Sequence, residues 1–517
     1  MSALSDTSTG AAPAVLPGDP RYADLARGWN ARFVGTPEAV RLPVVPEQVV
    51  DAVQDAVSTG RRIAVRSGGH CFEDFVADPA VRIVLDMSLL TDIRWDPEMG
   101  AVEIQAGTQL GEVNRTLFKR WGVALPGGTC PSVGVGGHIS GGGWGPLSRL
   151  YGSVVDHLYA VETVVVDAGG TARAVIATRE DGDPARDLWW AHTGAGGGNF
   201  GVVTRYWFRT PGASAVDPAA ALPRPPAALR VAQLLWPWAM LTEDSFTRLL
   251  RNHARWHEAN SAPGSPYAGM YSVIGATPRE NNGVVIMSIQ FDGTRSDTQE
   301  LLRAYTGALT EGTGVEPVVL EQRELPWLHT TSWPGVSDRA DHTRRAKFKS
   351  AYLRTGLSDA QIGAVYRSLT RPDYANMTAG IMLAAYGGAV NTVASDATAM
   401  PQRDSVLRLI FATEWDQPDE DDKHLTWIRE FYRDVFAATG GVPAPGPGQD
   451  GCHINYADAD VADPEWNTSG VPWHTLYFGD NYPRLREAKA RWDPLDVFRH
   501  TLSVRPPDTG PDTAEKE

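Results

Sequence analysis

One stretch constrains this chain more than any other. Residues 126–145 read PGGTCPSVGVGGHISGGGWG; nine of the twenty are glycine and a single cysteine, Cys130, stands in the middle. Glycine forgoes side-chain packing and loses more entropy on folding than any other residue. Such density therefore predicts backbone in φ > 0 turns or pressed against a ligand. A flexible linker has no use for Cys130, His138, Trp144 and the β-branched residues that interrupt this run. The stretch is expected to wrap a large cofactor, with Cys130 near enough to touch it.

The totals narrow the class. At 517 residues, 42% of them hydrophobic, the chain has material for two or more packed domains. A formal charge of −15 argues against nucleic-acid binding. Cys71, Cys130 and Cys452 are too few, and odd in number, for a disulfide framework, and their spacing matches no zinc site, so no metal is expected. The N-terminus has neither a basic start nor an apolar core, and no apolar run reaches membrane-spanning length. A cytoplasmic enzyme without a membrane or nucleic-acid partner is the expectation; the oligomeric state is not legible.

Residues 1–18 are small, polar and proline-bearing and are expected to be disordered. From Pro46 a helix is signalled by proline in its first turn, Val49, Val53 and Val57 on one face, and Gly60 after its end. Residues 62–66 and 81–86 read as buried strands and 101–105 as a third. Residues 108–121 form an amphipathic helix that places Leu110, Val113, Leu117 and Trp121 inward. Residues 159–167 and 171–177 make a hairpin, 183–192 a short helix and 199–208 a closing strand. A proline-rich segment, 211–226, then marks a boundary. Beyond it, helices at 242–260, 298–309, 359–369 and 421–438 alternate with strands at 270–274, 284–291, 381–386 and 407–415. That order fits an antiparallel sheet backed by helices, in an α+β chain. A second Pro/Gly break at 440–450 precedes a last segment, and the tail from Pro506 is again expected to be disordered.

Residues 194–201, GAGGGNFG, match the spacing of a dinucleotide fingerprint, but a helix precedes them and a strand follows, the reverse of what that motif needs. Two other glycine turns each carry a reactive side chain: Arg66-Ser67-Gly68-Gly69-His70 and Gly127-Gly128-Thr129-Cys130. Backbone amides in such turns form concavities for phosphate oxygens, which an acidic protein needs to hold a pyrophosphate cofactor.

At these two turns the chain resembles the berberine bridge enzyme-like flavin oxidases of the vanillyl-alcohol oxidase superfamily. RSGGHCFEDF resembles the loop whose His is linked to the flavin. GGTCPSVGVGGHISGGGWG resembles the loop whose Cys is linked to the flavin ring. DLWWAHTGAGGGNFGVVT resembles the end of the flavin domain and FGDNYPRL the segment that returns to it. The resemblance covers nearly the whole chain and is strongest to bacterial antibiotic-tailoring hexose and alcohol oxidases.

It implies a two-domain α+β, PCMH-type FAD-binding fold. The FAD-binding domain would occupy 19–212, the substrate domain 213–445 and the returning C-terminal segment 446–505, with 506–517 a disordered tail. It implies FAD attached covalently through both His70 and Cys130, and an oxygen-gating position at Val133. Around the cofactor it implies Arg66, Ser67, Gly68, Gly69, Gly127, Gly128, Thr129, Gly134, Gly136, Gly137, His138, Gly142, Val203 and Asn481. For His138 a structural hydrogen bond and a catalytic role both stay open.

For the chemistry, the resemblance implies removal of a hydroxyl proton by a tyrosine as hydride leaves the same carbon. Tyr456, in HINYAD, is the first candidate base and Tyr386, in AAYGGAVN, the second. Trp144 replaces a tyrosine of relatives and would serve as a substrate wall, with Lys349 and Tyr352 as further contacts. No Glu matches the base of the alkaloid-oxidising members. The implied partners are molecular oxygen and a bulky sugar, glycoside or polyketide alcohol. An oxidative cyclase, an FAD-linked dehydrogenase and a non-catalytic carbohydrate- or flavin-binding protein are the rival readings.

Overall fold

The computed structural model describes residues 10–337 and 344–507. Three sheets carry it. The first joins β1 (Ala14–Val15), β2 (Ala39–Arg41), β3 (Ile63–Arg66) and β4 (Ile83–Asp86) in the order β1-β2-β4-β3, with β4 parallel to both β2 and β3. The helix Pro46–Ser58 buries Val49, Val53 and Ala56 beside it; its proline occupies the first turn, where a missing N–H leaves no bond unmade. The second sheet joins β5 (Ile93–Asp96), β6 (Ala101–Gln105), β7 (Leu158–Val166), β8 (Ala172–Thr178) and β9 (Val202–Phe208), all antiparallel, in the order β5-β6-β9-β7-β8.

After the proline-rich boundary comes a seven-stranded antiparallel sheet. Its strands are β10 (Ala228–Pro237), β11 (Tyr271–Ala276), β12 (Val284–Asp292), β13 (Val318–Pro326), β14 (Arg345–Leu353), β15 (Gly380–Ala385) and β16 (Leu407–Trp415). Their order is β13-β10-β12-β11-β15-β16-β14. Side chains alternate between the faces of a strand. Ile274, Ile381, Leu383, Leu409 and Phe411 enter the core shared with the helices Glu243–Asn260, Thr298–Thr310, Asp359–Thr370 and Asp421–Val435. Val273, Met382, Ala384, Arg408 and Ile410 point the other way and line a large cavity.

The C-terminal segment returns to the first half. Fully buried Lys489 donates from Nζ to the Asn199 carbonyl at 2.7 Å and pairs with Asp493 at 2.6 Å. Val504 N–H donates to Asn199 Oδ1 at 2.8 Å.

Several expectations need correction. Residues 10–18 are structured, since β1 pairs antiparallel with β2; residues 1–9 of that expected disorder lie outside the described residues. The glycine stretch contains a helix, Val135–Ser140, and of its glycines only Gly142 has a positive φ, so close backbone packing rather than left-handed turns accounts for most of them. The helix expected over 183–192 is confined to Arg186–Ala191, since Asp183 turns back to bond Thr178. β2, β5, β10 and β13 went unread. At the other end Pro506 is tied by its carbonyl to Arg486 at 2.9 Å, while 508–517 lie outside the described residues.

Candidate active site

The cavity has a volume of about 630 Å³, within the range of small-molecule sites. Its floor is made where the two glycine turns meet. A Cβ on Gly68 would lie 2.3 Å from the Gly134 nitrogen, and one on Gly134 would lie 2.0 Å from Ser67 Oγ, so the turns pack backbone on backbone. Ser67 Oγ donates to the Ala106 carbonyl at 2.6 Å. Arg66 braces the turn: its guanidinium pairs with Asp86 at 2.5 Å and donates to the Arg27 carbonyl at 2.6 Å. It borders the cavity with Nε, Nη1 and Nη2 each bonded to protein.

This contact brings His70 and Cys130 to one hydroxyl. His70 Nε2 lies 3.0 Å from Ser132 Oγ and Cys130 Sγ 3.5 Å from the same atom. Trp29 stacks on the His70 ring at 5.9 Å. Gly69, Gly128, Thr129, Val133, Gly136, Gly137 and Val203 continue the lining. His138 lines it too, and its Nε2 accepts the Gly128 N–H at 3.0 Å. Burial holds its pKa down at about 4, so the ring is a neutral acceptor that shapes the turn. Cys71 borders the cavity beside His70, and burial pushes its thiol, like that of Cys452, up to about 12.

The opposite wall is aromatic and carries one cation. Tyr456 packs against Phe72 at 5.4 Å and Phe348 at 6.2 Å. The Arg408 guanidinium lies 5.3 Å from the centre of the Tyr456 ring, 4.3 Å from Trp144 and 5.3 Å from Tyr352. Arg408 is only 2% exposed, its Nε and Nη2 have no hydrogen-bond partner, and no carboxylate among the described residues pairs with it. A buried charge without a counter-ion is costly, so aromatic faces alone compensate it imperfectly. Burial, helped by the Arg408 charge, pushes the His453 pKa well below the usual imidazole value. Asn455 joins the two walls, donating from Nδ2 to the His138 carbonyl at 3.0 Å; a Cβ on Gly141 would lie 1.9 Å from its Oδ1.

Six expected site residues do not line the cavity. Tyr386 is fully buried, away from the cavity, and its hydroxyl donates to the Gln402 carbonyl at 3.1 Å; burial pushes its pKa well above the ordinary value. Tyr352 is fully buried beneath Arg408 with its hydroxyl 3.0 Å from His453 Nδ1. Lys349 faces the opposite side of the sheet, where Asp458 and Asp460 each meet it at 2.7 Å. Asn481 donates to the Ser395 and Thr398 carbonyls at 2.8 and 3.1 Å. Gly127 and Gly142 serve packing, under Gly145 and Met400 respectively. Trp144 does line the cavity, joined by Tyr271 at 5.6 Å. Arg408, Ser132, Trp29, Phe348 and Tyr271 were missed. Only Arg408 left a trace, a charge at an alternate position of LRLIFATEW among apolar neighbours.

These residues suit FAD. Glycine backbones line one end, two attachable side chains converge on one hydroxyl, and an uncompensated cation waits in the far wall. No group of three His, Cys, Asp or Glu side chains gathers as a metal site among the described residues, and no helix there is long and apolar enough to cross a membrane.

Comparison with known proteins agrees. Residues 37–175 match the family described as FAD binding domain and 452–505 the one described as berberine and berberine like. Aclacinomycin-N/aclacinomycin-A oxidase of Streptomyces galilaeus is 52% identical, covering 95% of this chain and 89% of the relative. Hexose oxidase of Chondrus crispus is 32% identical over 94% of this chain and 93% of its own. A crystal structure of a glycopeptide hexose oxidase complexed with teicoplanin superposes with a TM-score of 0.91 at 50% identity, covering 96% and 99% of the two chains. FAD is the cofactor and oxidation the activity: the chain belongs to the berberine bridge enzyme-like family of FAD-linked oxidases.

Proposed function

We propose that FAD is held by two covalent links, at His70 and Cys130, and that Tyr456 is the base in oxidation of an alcohol or hemiacetal carbon. The observation that carries this reading is the placement of Tyr456 and the unpaired Arg408 in one wall of the cavity. A cation beside a phenol favours its phenolate, the form that can take a hydroxyl proton. The substrate carbon then loses hydride as Tyr456 Oη gains the proton, leaving a carbonyl. FAD, when bound, accepts that hydride and passes two electrons to oxygen, yielding hydrogen peroxide.

Residues 19–212 with 446–505 hold the cofactor in this reading, and 213–445 hold the substrate. Trp144 offers an apolar face to a sugar ring, and Val133 keeps oxygen's approach open. The substrate class is a sugar-bearing natural product, supported by relatives named for a hexose, a glycopeptide hexose and aclacinomycins.

Peroxide release, screened against sugars, glycosides and glycosylated polyketides, tests the oxidase. Tyr456→Phe should slow anaerobic flavin reduction by about two to four orders of magnitude. Reduction at the native rate would move the base elsewhere. Acid-precipitated protein should stay yellow, with an intact mass one FAD above the chain; a colourless pellet would refute the covalent links.

A further inference from the structure

Two loops that reach the cavity from different parts of the chain are keyed to the same strand, β14. Glu73 stands three residues after His70, and Asp458 two residues after Tyr456. Both carboxylates meet the Lys347 ammonium, Glu73 through Oε1 in a short contact and Asp458 through Oδ1 at 2.7 Å. Glu73 Oε1 also accepts the Ala459 N–H at 3.2 Å, so the loops touch directly. Side-chain exposures of 2% for Lys347, 6% for Glu73 and 2% for Asp458 put all three out of water. The neighbouring residue of the strand, Phe348, stacks on Phe72 at 4.2 Å and meets Tyr456 at 6.2 Å on the cavity face. Lys349 and Arg429 complete the network through Asp460, so that three cations balance three carboxylates.

A buried ionic network is a poor source of stability, since desolvation offsets attraction, but it tolerates few arrangements: any shift of one loop strands a charge away from water. We propose that Glu73, Lys347 and Asp458 form an ionic clamp that sets the spacing between His70 and Tyr456, and so between the attached cofactor and the base. The clamp rests on the reading of His70 as an attachment point and Tyr456 as the base. Lys347 and Asp458 do not line the cavity. They are positioning residues, and they act through the loops they hold.

The two ends of the clamp have separate readouts. A Cys130→Ser chain can attach flavin only through His70. Adding Glu73→Gln to it should lower the flavin retained after acid precipitation by about threefold or more, as a displaced reacting group does. Asp458→Asn in the otherwise native chain should leave acid-stable flavin unchanged while kcat falls about 10- to 100-fold and KM stays within about threefold. Arg429→Gln, which removes contacts to Asp460 and the Trp466 ring but none to Glu73, Lys347 or Asp458, should lower Tm with kcat unchanged.

Retention in the Glu73→Gln, Cys130→Ser chain equal to that of Cys130→Ser, together with native kcat in Asp458→Asn, overturns the clamp. So does a loss of kcat in Arg429→Gln that matches Asp458→Asn at the same drop in Tm, which would mark a merely structural network. If Glu73→Gln does not fold, Glu73→Asp keeps the charge, shortens the reach by one methylene and should show the same loss in smaller measure. The underlying reading fails by different signs. Acid-stable flavin in His70→Ala, Cys130→Ser, or native reduction in Tyr456→Phe, would remove the clamp's purpose whatever Glu73 and Asp458 do.

Discussion

The two walls of the cavity are built by opposite means. The glycine wall is built from two short local segments, 126–145 and the turn at Gly68, and works by removing side chains until backbones touch. The aromatic wall takes Tyr271 from β11, Phe348 from β14, Met382 from β15, Arg408 from β16 and Tyr456 from the returning segment. It works by side chains that meet only after the sheet has formed. A close backbone approach has no give, because no rotamer can relieve it. An aromatic and cationic wall can adapt in shape but is sensitive in charge. Mutations should therefore separate into loss of architecture on one side and loss of chemistry on the other.

The largest effect is expected at Gly134→Ala. The new Cβ would stand 2.0 Å from Ser67 Oγ and 2.2 Å from the Gly68 nitrogen, and neither turn can move without opening the floor. A loss of about 3 kcal/mol or more is expected, with little flavin bound. A yellow, stable Gly134→Ala protein would break the distinction drawn above.

Arg408→Met is next and should spare the fold while impairing the chemistry. Flavin should still bind and Tm should hold or rise, since an unpaired buried cation is removed. Reduction should slow by about tenfold or more at neutral pH and partly recover in alkali, because loss of the cation makes the phenol harder to ionise. A pH profile identical to the native one would show that Arg408 does not act on Tyr456.

The third effect is spread through the molecule rather than confined to the cavity. Burial holds His138 and His192 at about 4 and His253 and His500 at about 3, below the 6.5 of an exposed imidazole. Below pH 6.5 the unfolded chain takes up protons that the folded chain refuses, so stability falls with pH, by roughly 1.4 kcal/mol per histidine for each unit. Asp450, raised to about 7, works in the opposite direction, as do Asp74 and Asp493, but they oppose eight histidines held down by burial. Tm should drop steeply between pH 7 and 5; a flat profile would contradict the buried neutral rings.

The smallest is Tyr386→Phe. Its hydroxyl bonds the Gln402 carbonyl away from the cavity, so about 1 kcal/mol of stability is at stake and reduction should stay within about threefold of native. A loss comparable to Tyr456→Phe would restore Tyr386 to the chemistry.

What could be read from the sequence follows the same division. Glycines announce a close approach locally, and the helix Leu110–Trp121 shows its inward face through Leu110, Val113 and Leu117. His70 and Cys130 stood out because a reactive side chain in a glycine turn has few structural reasons to be there. Across the sheet the signal fails. A period-two pattern says that Lys347 and Phe348 face opposite ways, yet not which face meets the cofactor. Lys349 was therefore expected at the substrate and found on the far side, while Arg408 was passed over. Tyr386 and Tyr456 are alike as tyrosines, and only the partner of each hydroxyl or ring separates a packed phenol from one in the cavity. Short strands such as β1 and β2 escaped because pairing with one another, not local preference, makes them strands.

The return of the C-terminal segment also has a consequence in time. Residues 498–500 line the cavity that His70 enters, yet they leave the ribosome about 430 residues later, roughly 20 to 90 s at bacterial to eukaryotic rates of synthesis. Until then the floor exists without one of its ends, and β14 waits for the segment that carries Tyr456. The enclosure is thus a late product of synthesis: cofactor capture in its final form can begin only when nearly all of the described chain has been made.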